Sequence, residues 1–203
     1  MTSQYGILQK QYRNSLIKEI VRKSIHLCSA FVPTFLGIAY YPAIGALCAL
    51  GALYCVSEVL RLRGISLPGI ARITEVAARK RDENRFVRGP VTLVLGILCA
   101  AVFLPPQAAR IGIYALAFGD GLASLCGRLF GRVHIPFTNG KTAAGSLACF
   151  FAVFLSSFCV CRNTQASLAL AAAAMLVEII PMTDFDNIVI PIAVGSLARL
   201  LLG

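Results

Sequence analysis

The run PAIGALCALGALYCVSEVL at residues 42–60 is apolar for the length of a bilayer crossing, and PVTLVLGILCAAVFL at 90–104 is a second such run, closed by Pro105-Pro106. Between them, residues 61–88 carry eight Arg and Lys. A hydrocarbon core about 30 Å thick takes roughly 20 apolar residues as a helix, and lipid-exposed backbone there must satisfy its own hydrogen bonds. Apolar run, basic loop, apolar run therefore predicts membrane-crossing helices, not the core of a soluble domain.

Further apolar runs lie on either side. One spans 25–40, interrupted by Pro33 and joined to 42–60 by a tight Tyr40-Tyr41-Pro42 turn; others span 108–126, 142–161, 166–180 and 188–202. The expected fold is an all-α integral membrane protein of about seven transmembrane helices, a single domain over 1–203. Residues 1–24 are expected to form a cytoplasmic N-terminal helix, and 61–89 and 127–141 cytoplasmic loops. Within the first loop, SLPGIARITEVAARKRDEN at 66–84 has Ile70, Ile73, Val76 and Ala77 at three- and four-residue spacing, with Pro68 suited to a first turn. That pattern predicts a short amphipathic helix at the cytoplasmic interface.

The composition agrees. Hydrophobic residues make up 58% and charged residues 14%, against about 45–50% and about 25% in soluble domains. A soluble globular domain, a disordered tail and a fibrous repeat are excluded. The 19 Lys and Arg against 9 Asp and Glu give a formal charge of +10. In a soluble protein this would suggest nucleic acid; in a membrane protein it orients the chain. Sixteen of the 19 cations fall on one side of the seven-span arrangement, and Arg110, Arg162 and Arg199 stand near opposite ends, where they can snorkel. The N-terminus is thus expected in the cytoplasm and the C-terminus outside, with membrane lipids and no nucleic acid as surroundings. The eight cysteines have no CxxC spacing and fall mostly in apolar runs, as soft membrane-core residues do.

Glu75, Asp82 and Glu83 sit in the basic loop, but Glu19, Glu58, Asp120, Glu178, Asp184 and Asp186 all stand near cytoplasmic ends of spans. An ionised group in a span costs about 2.5–3.5 kcal/mol on insertion scales, so such acids need partners or water and are functional candidates. Six at one face predict a polar cavity open to the cytoplasm. Glu58 reads equally well as an interfacial charge.

Three constellations stand out. In EIVRKSIH, Glu19, Arg22, Lys23 and His26 recur at i, i+3, i+4 and i+7, one helix face. In FGDGLASLCGRLFGRVHIPFTNGKTAAGS, residues 118–146, Asp120 lies between glycines, and Ala123, Ser124 and Gly127 continue a small-residue face that permits close packing. A carboxylate in such a crevice suits Mg²⁺, and Asn139-Gly140-Lys141-Thr142 can meet a phosphate at a helix N-terminus. It is no Walker A loop, since Ile135 stands where that pattern needs glycine. In EIIPMTDFDNIVIP, residues 178–191, Pro181 ends a span, and Asp184, Asp186 and Asn187 offer a second metal or nucleotide contact; Asp186 or Asn187 equally reads as a helix cap.

Together these motifs resemble the CTP-dependent lipid kinases, the family of dolichol kinase, phytol kinase and yeast-type diacylglycerol kinase. The likeness rests on Glu19, Arg22, Lys23 and His26; on Gly119-Asp120, Ala123-Ser124 and Gly127-Arg128; on Gly131, Lys141-Thr142 and Gly145-Ser146; and on Glu178, Pro181, Asp186-Asn187 and Pro191. The middle motif is also similar to phosphatidate cytidylyltransferase, whose closing signature is absent here. The resemblance implies a small bacterial enzyme of the inner (cytoplasmic) membrane that moves a phosphoryl group from a nucleoside triphosphate, CTP above all, to a lipid alcohol such as a polyprenol, a phytol-like isoprenoid or diacylglycerol. CDP-lipid synthesis and a small transporter are the alternatives.

The resemblance assigns Asp120, Glu178 and Asp186 to Mg²⁺. It gives Asp120, Glu19 and Lys141 to the chemistry. It gives Arg22, Lys23, His26, Ser124, Arg128, Asn139, Lys141, Thr142 and Asn187 to the nucleotide. Phosphoryl transfer asks mainly for charge neutralisation and alignment, which this set supplies.

Overall fold

The structure, a computed structural model, describes residues 2–65, 69, 74, 85–138 and 140–203. The segment expected as an amphipathic helix, 66–84, therefore lies outside the described residues except for Gly69 and Thr74. Among the described residues the fold is all-helical, with one isolated β-bridge between His134 and Thr142.

Helix α1, Thr2–Cys28, carries the polar N-terminal segment without a break into the apolar run. Ser29–Phe31 then tightens to a 3₁₀ turn before α2, Val32–Ile38. The cause is Pro33, which lacks an N–H and whose ring opposes the carbonyl four residues back, that of Ser29. The break expected at Pro33 thus falls one turn earlier, and Val32 bonds the Ser29 carbonyl instead. The turn expected at Tyr40-Tyr41-Pro42 is made by Ala39 alone, and those three residues open α3, Tyr40–Leu62. Helix α4, Gly89–Phe103, starts with Pro90 in its first turn, where a missing N–H does no harm.

Helix α5, Pro106–Tyr114, a π turn at Ala115–Asp120 and α6, Gly121–Phe130, form one continuous rod. This rod extends past both ends of the run expected at 108–126. Helices α7, Ala143–Cys161, and α8, Thr164–Ile179, form a hairpin whose turn has Arg162 in the left-handed region and Asn163 capping α8. Helix α9 is Asp186–Leu202. Tyr40–Leu62, Pro106–Phe130 and Ala143–Cys161 are long and apolar enough to cross a membrane, and Gly89–Phe103 and Thr164–Ile179 are shorter apolar helices. Large apolar side chains such as Leu50, Leu53, Phe151, Leu155 and Leu176 point outward, as hydrocarbon solvent allows.

The centre is built on small residues. Helix α9 packs against α4, α5 and α8, while α7 packs against α6, α8 and the π turn. Pro191 inside α9 cannot bond the Asn187 carbonyl, and that carbonyl lies against Gly96 of α4 so closely that a Cβ there would overlap it. Gly112 of α5 meets the Pro191 carbonyl in the same way. With no gain from excluding water between helices in lipid, such backbone approach and dispersion contacts carry the association. Ile111, Ile113, Leu116, Val153, Leu170, Ile190 and Val194 fill the remaining space, each 2% exposed or less.

Gly112→Val should therefore destabilise the detergent-solubilised protein by about 1–3 kcal/mol through overpacking. Gly45→Ala, where an added Cβ meets nothing within 4 Å, should leave the thermal midpoint unchanged or slightly higher. Equal midpoints for both variants would contradict this account of the core.

Candidate active site

The face expected on α1 forms as the periodicity predicts. Glu19, Lys23 and His26 are buried at 3–5% exposure in the last third of α1. Their partner is the π turn. A π turn inserts one residue into a helix and rotates the residues beyond it about the axis. Here it sets Gly119 against Val153 and Cys149 of α7, and Gly121 against Leu27 of α1. Asp120, between them, is held at 2% exposure and accepts a hydrogen bond from Lys23 Nζ.

Glu19 pairs with Arg22 and, at 3.5 Å, with Arg128 of α6, whose guanidinium also donates to the Ser15 carbonyl at 3.0 Å. Burial works to raise the Glu19 carboxyl, but the Arg22 hydrogen bond and the charges of Arg22, Lys23 and Arg128 outweigh it and hold the group below its ordinary value.

A second lysine–carboxylate pair faces the first. Residues 133–135 and 141–143 lie side by side, with the Ile135 amide donating to the Lys141 carbonyl at 2.8 Å and the Ala143 amide to the Val133 carbonyl at 3.0 Å. Thr142 caps α7, its hydroxyl accepting the Gly145 amide at 3.2 Å. Lys141 reaches Glu178, on the last turn of α8, at 2.5 Å, and Ser146 donates to the other Glu178 oxygen at 3.3 Å. Burial alone would lower the Lys141 ammonium, yet the Glu178 carboxylate beside it, with Asp120 and Asp186 further off, holds it above its ordinary value. The Gly127–Gly145 contact, where a Cβ on Gly145 would meet the Ala123 carbonyl, draws α6 and α7 together beneath this pair, as the small-residue face predicts.

Both pairs line one cavity of about 600 Å³. Ten of the expected site residues border it: Glu19, Arg22, Lys23, Asp120, Ser124, Arg128, Lys141, Thr142, Glu178 and Asp186. His134, Thr138, Met182 and Thr183 also border it, though no sequence pattern singles them out, and so does Gly140 beside Lys141. Thr183 has a left-handed φ of 55° at the rim, a backbone state no residue pattern announces. Asn139 lies outside the described residues.

His26 and Asn187 border a different, smaller pocket. Asn187 donates to Thr92 Oγ1 at 2.9 Å and to the Gly89 carbonyl at 3.2 Å, tying the starts of α9 and α4 together. Phe185, not Asp186 or Asn187, is the capping position of α9.

Glu58 takes no part in either cavity. It is 1% exposed, chelated by Arg61 at 2.7 and 2.9 Å, and accepts the Val87 amide at 2.8 Å. Arg61 also donates to the Arg85 carbonyl at 2.9 Å, and Tyr54 to the Val87 carbonyl at 3.0 Å. This cluster clamps the returning end of the long loop.

Among the described residues no three His, Cys, Asp or Glu side chains converge as a closed metal cage. Mg²⁺ does not require one, since it usually takes one or two carboxylates and completes its shell with phosphate oxygens and water. Asp120, Glu178 and Asp186, which line the same cavity, are donors of that kind. The four cations Arg22, Lys23, Arg128 and Lys141 supply charge for an anion.

No protein-family model matches the chain. It is 28% identical over 222 residues to phytol kinase 1, chloroplastic, of Arabidopsis thaliana, covering 94% of this chain and 69% of that protein. It is 33% identical over 159 residues to probable phytol kinase 1, chloroplastic, of Oryza sativa subsp. japonica, covering 69% of this chain and 50% of that protein. With farnesol kinase, chloroplastic, of Arabidopsis thaliana, identity is 32% over 127 residues, 54% of this chain and 41% of that protein. No solved structure matches. These relatives bear out the resemblance drawn from the motifs.

Removing one member of a buried pair should cost more than removing both charges. Lys23→Met should destabilise the protein by about 3–5 kcal/mol, because Asp120 is left uncompensated. Lys23→Met combined with Asp120→Asn should recover most of that loss. Thermal unfolding in detergent measures both, and additive losses would rule out the pair as the source.

Proposed function

We propose that this chain, a member of the lipid kinase family that includes the phytol and farnesol kinases, transfers the γ-phosphate of a nucleoside triphosphate, CTP in the first instance, to the hydroxyl of a lipid alcohol. The observation that carries the reading is the pairing of Lys23–Asp120 and Lys141–Glu178 across one cavity. Each lysine, Lys23 buried and Lys141 half-buried, is poised to exchange a carboxylate for a phosphate oxygen, and each carboxylate to exchange a lysine for a metal ion. The cavity volume of about 600 Å³ lies in the range of small-molecule sites.

Arg22, Lys23, Arg128 and Lys141 neutralise the triphosphate, and Ser124 and Thr142 offer hydroxyls along the same wall. Asp120, Glu178 and Asp186 would hold Mg²⁺, which supplies charge neutralisation on the phosphate oxygens when bound. The alcohol oxygen attacks the γ-phosphorus, the bond to the bridging oxygen breaks, and the nucleoside diphosphate leaves with the electron pair. The hydroxyl proton passes to Asp120. Glu19 holds Arg22 and Arg128 toward the anion. The positive-inside distribution supports seven spans with this cavity at the cytoplasmic face.

Purified protein with Mg²⁺, γ- or α-labelled CTP or ATP, and phytol, farnesol or diacylglycerol tests the chemistry. Label from the γ-position should enter a lipid alcohol, and Asp120→Asn should lower the rate by about 10²-fold or more while the protein still folds. Label from the α-position would mean cytidylyl transfer, and no transfer from either would overturn the kinase reading.

Alkaline phosphatase fused after Gly203 should be active, and fused within residues 131–138 inactive. The opposite pattern would invert the proposed orientation.

A further inference from the structure

We propose that the acceptor enters through the smaller pocket between α1, α4 and the start of α9, and that His26 receives its hydroxyl. This rests on the kinase reading and supplies that site's lipid side. The pocket, of about 40 Å³, has an apolar wall of Ile25, Val87, Pro90 and Leu93, and a polar floor that includes His26. Arg22, Lys23 and Asp186 belong to the walls of both cavities, so the two meet across a single layer of side chains.

The geometry at that seam carries the inference. Asp120 borders the large cavity and His26 the small one, and His26 Nδ1 lies 3.2 Å from Asp120 Oδ2. The Nδ1 position is out of line for a hydrogen bond to that oxygen, and the atom is buried with no other partner among the described residues. Buried polar atoms are rarely left so unless something else meets them. A hydroxyl both donates and accepts, and satisfies a ring nitrogen in either tautomer. An alcohol oxygen held there stands beside the carboxylate and the lysine that face the nucleotide.

Size and position select the occupant. A volume of about 40 Å³ admits roughly three water-sized centres, which suits a hydroxymethyl end with the body of the lipid left outside. Ile25 and Pro90 stand at the first turns of apolar runs, level with lipid headgroups in the proposed orientation. A single-chain lipid alcohol can insert its head sideways there and leave its tail in the hydrocarbon.

Gly89 borders this pocket alone, and an added Cβ meets nothing within 4 Å, so a side chain can be placed there without moving backbone. Gly89→Leu should raise the KM for farnesol or phytol by roughly tenfold or more and leave the KM for CTP within about twofold. An unchanged alcohol KM overturns the pocket. If the unmodified protein phosphorylates no alcohol, the kinase reading has failed instead. A farnesol analogue with a diazirine next to its hydroxyl, photolysed on the unmodified protein, gives a second readout. Label within residues 22–31 or 86–93 supports the pocket, and label confined to α7 or α8 overturns it.

Discussion

A lysine and an aspartate 97 residues apart, both almost wholly buried, meet between α1 and the π turn. Either charge left there alone is strongly destabilising. Taking an ion out of water costs several kcal/mol even after relaxation, and the attraction of the pair offsets this only while the geometry holds. The contact therefore constrains much else. It requires α1 to run unbroken from its polar end to Cys28, and the helix Pro106–Phe130 to carry its extra residue at Ala115–Asp120. It also requires glycines on both sides of Asp120 so that α7 and α1 can close around it.

The same economy governs the second pair. Lys141 comes from a folded-back loop and Glu178 from the end of a helix stopped by Pro181, so neither is fixed by its own element alone. Thr142 capping α7 and Ser146 donating to Glu178 set the position of both. The cavity thus holds its own charges in mutual compensation. In the proposed function, a polyphosphate with a divalent ion would exchange partners within this set, with little unpaired charge at any stage.

Much of this is legible in sequence for physical reasons. Ionisable groups in apolar runs must have partners, so Glu19, Asp120 and Glu178 declare themselves, and the i, i+3, i+4, i+7 spacing puts Arg22, Lys23 and His26 on one face. The Gly–Asp–Gly step announces a crevice. What sequence does not carry is the pairing across the fold. Glu58 and Asp120 look alike as acids near span ends, yet one is chelated by Arg61 of its own helix and by the Val87 amide, and the other faces a cavity. His26 and Asn187 sit in motifs with cavity residues but look into the neighbouring pocket, because one helix turn is enough to cross the seam. Hydropathy also places helix ends too early where a helix continues through polar residues, as at Gly127–Phe130, since lipid ends before the hydrogen-bond ladder does.

The clamp of Glu58, Arg61, Arg85 and Val87 ties the end of α3 to the approach to α4. The start of α4 is thereby tied to the end of α3 directly, by hydrogen bonds that do not pass through the intervening loop. A carboxylate and a guanidinium one helix turn apart, gripping the Val87 amide and the Arg85 carbonyl, thus act as a stop: the far end of the loop cannot swing away without baring a buried charge.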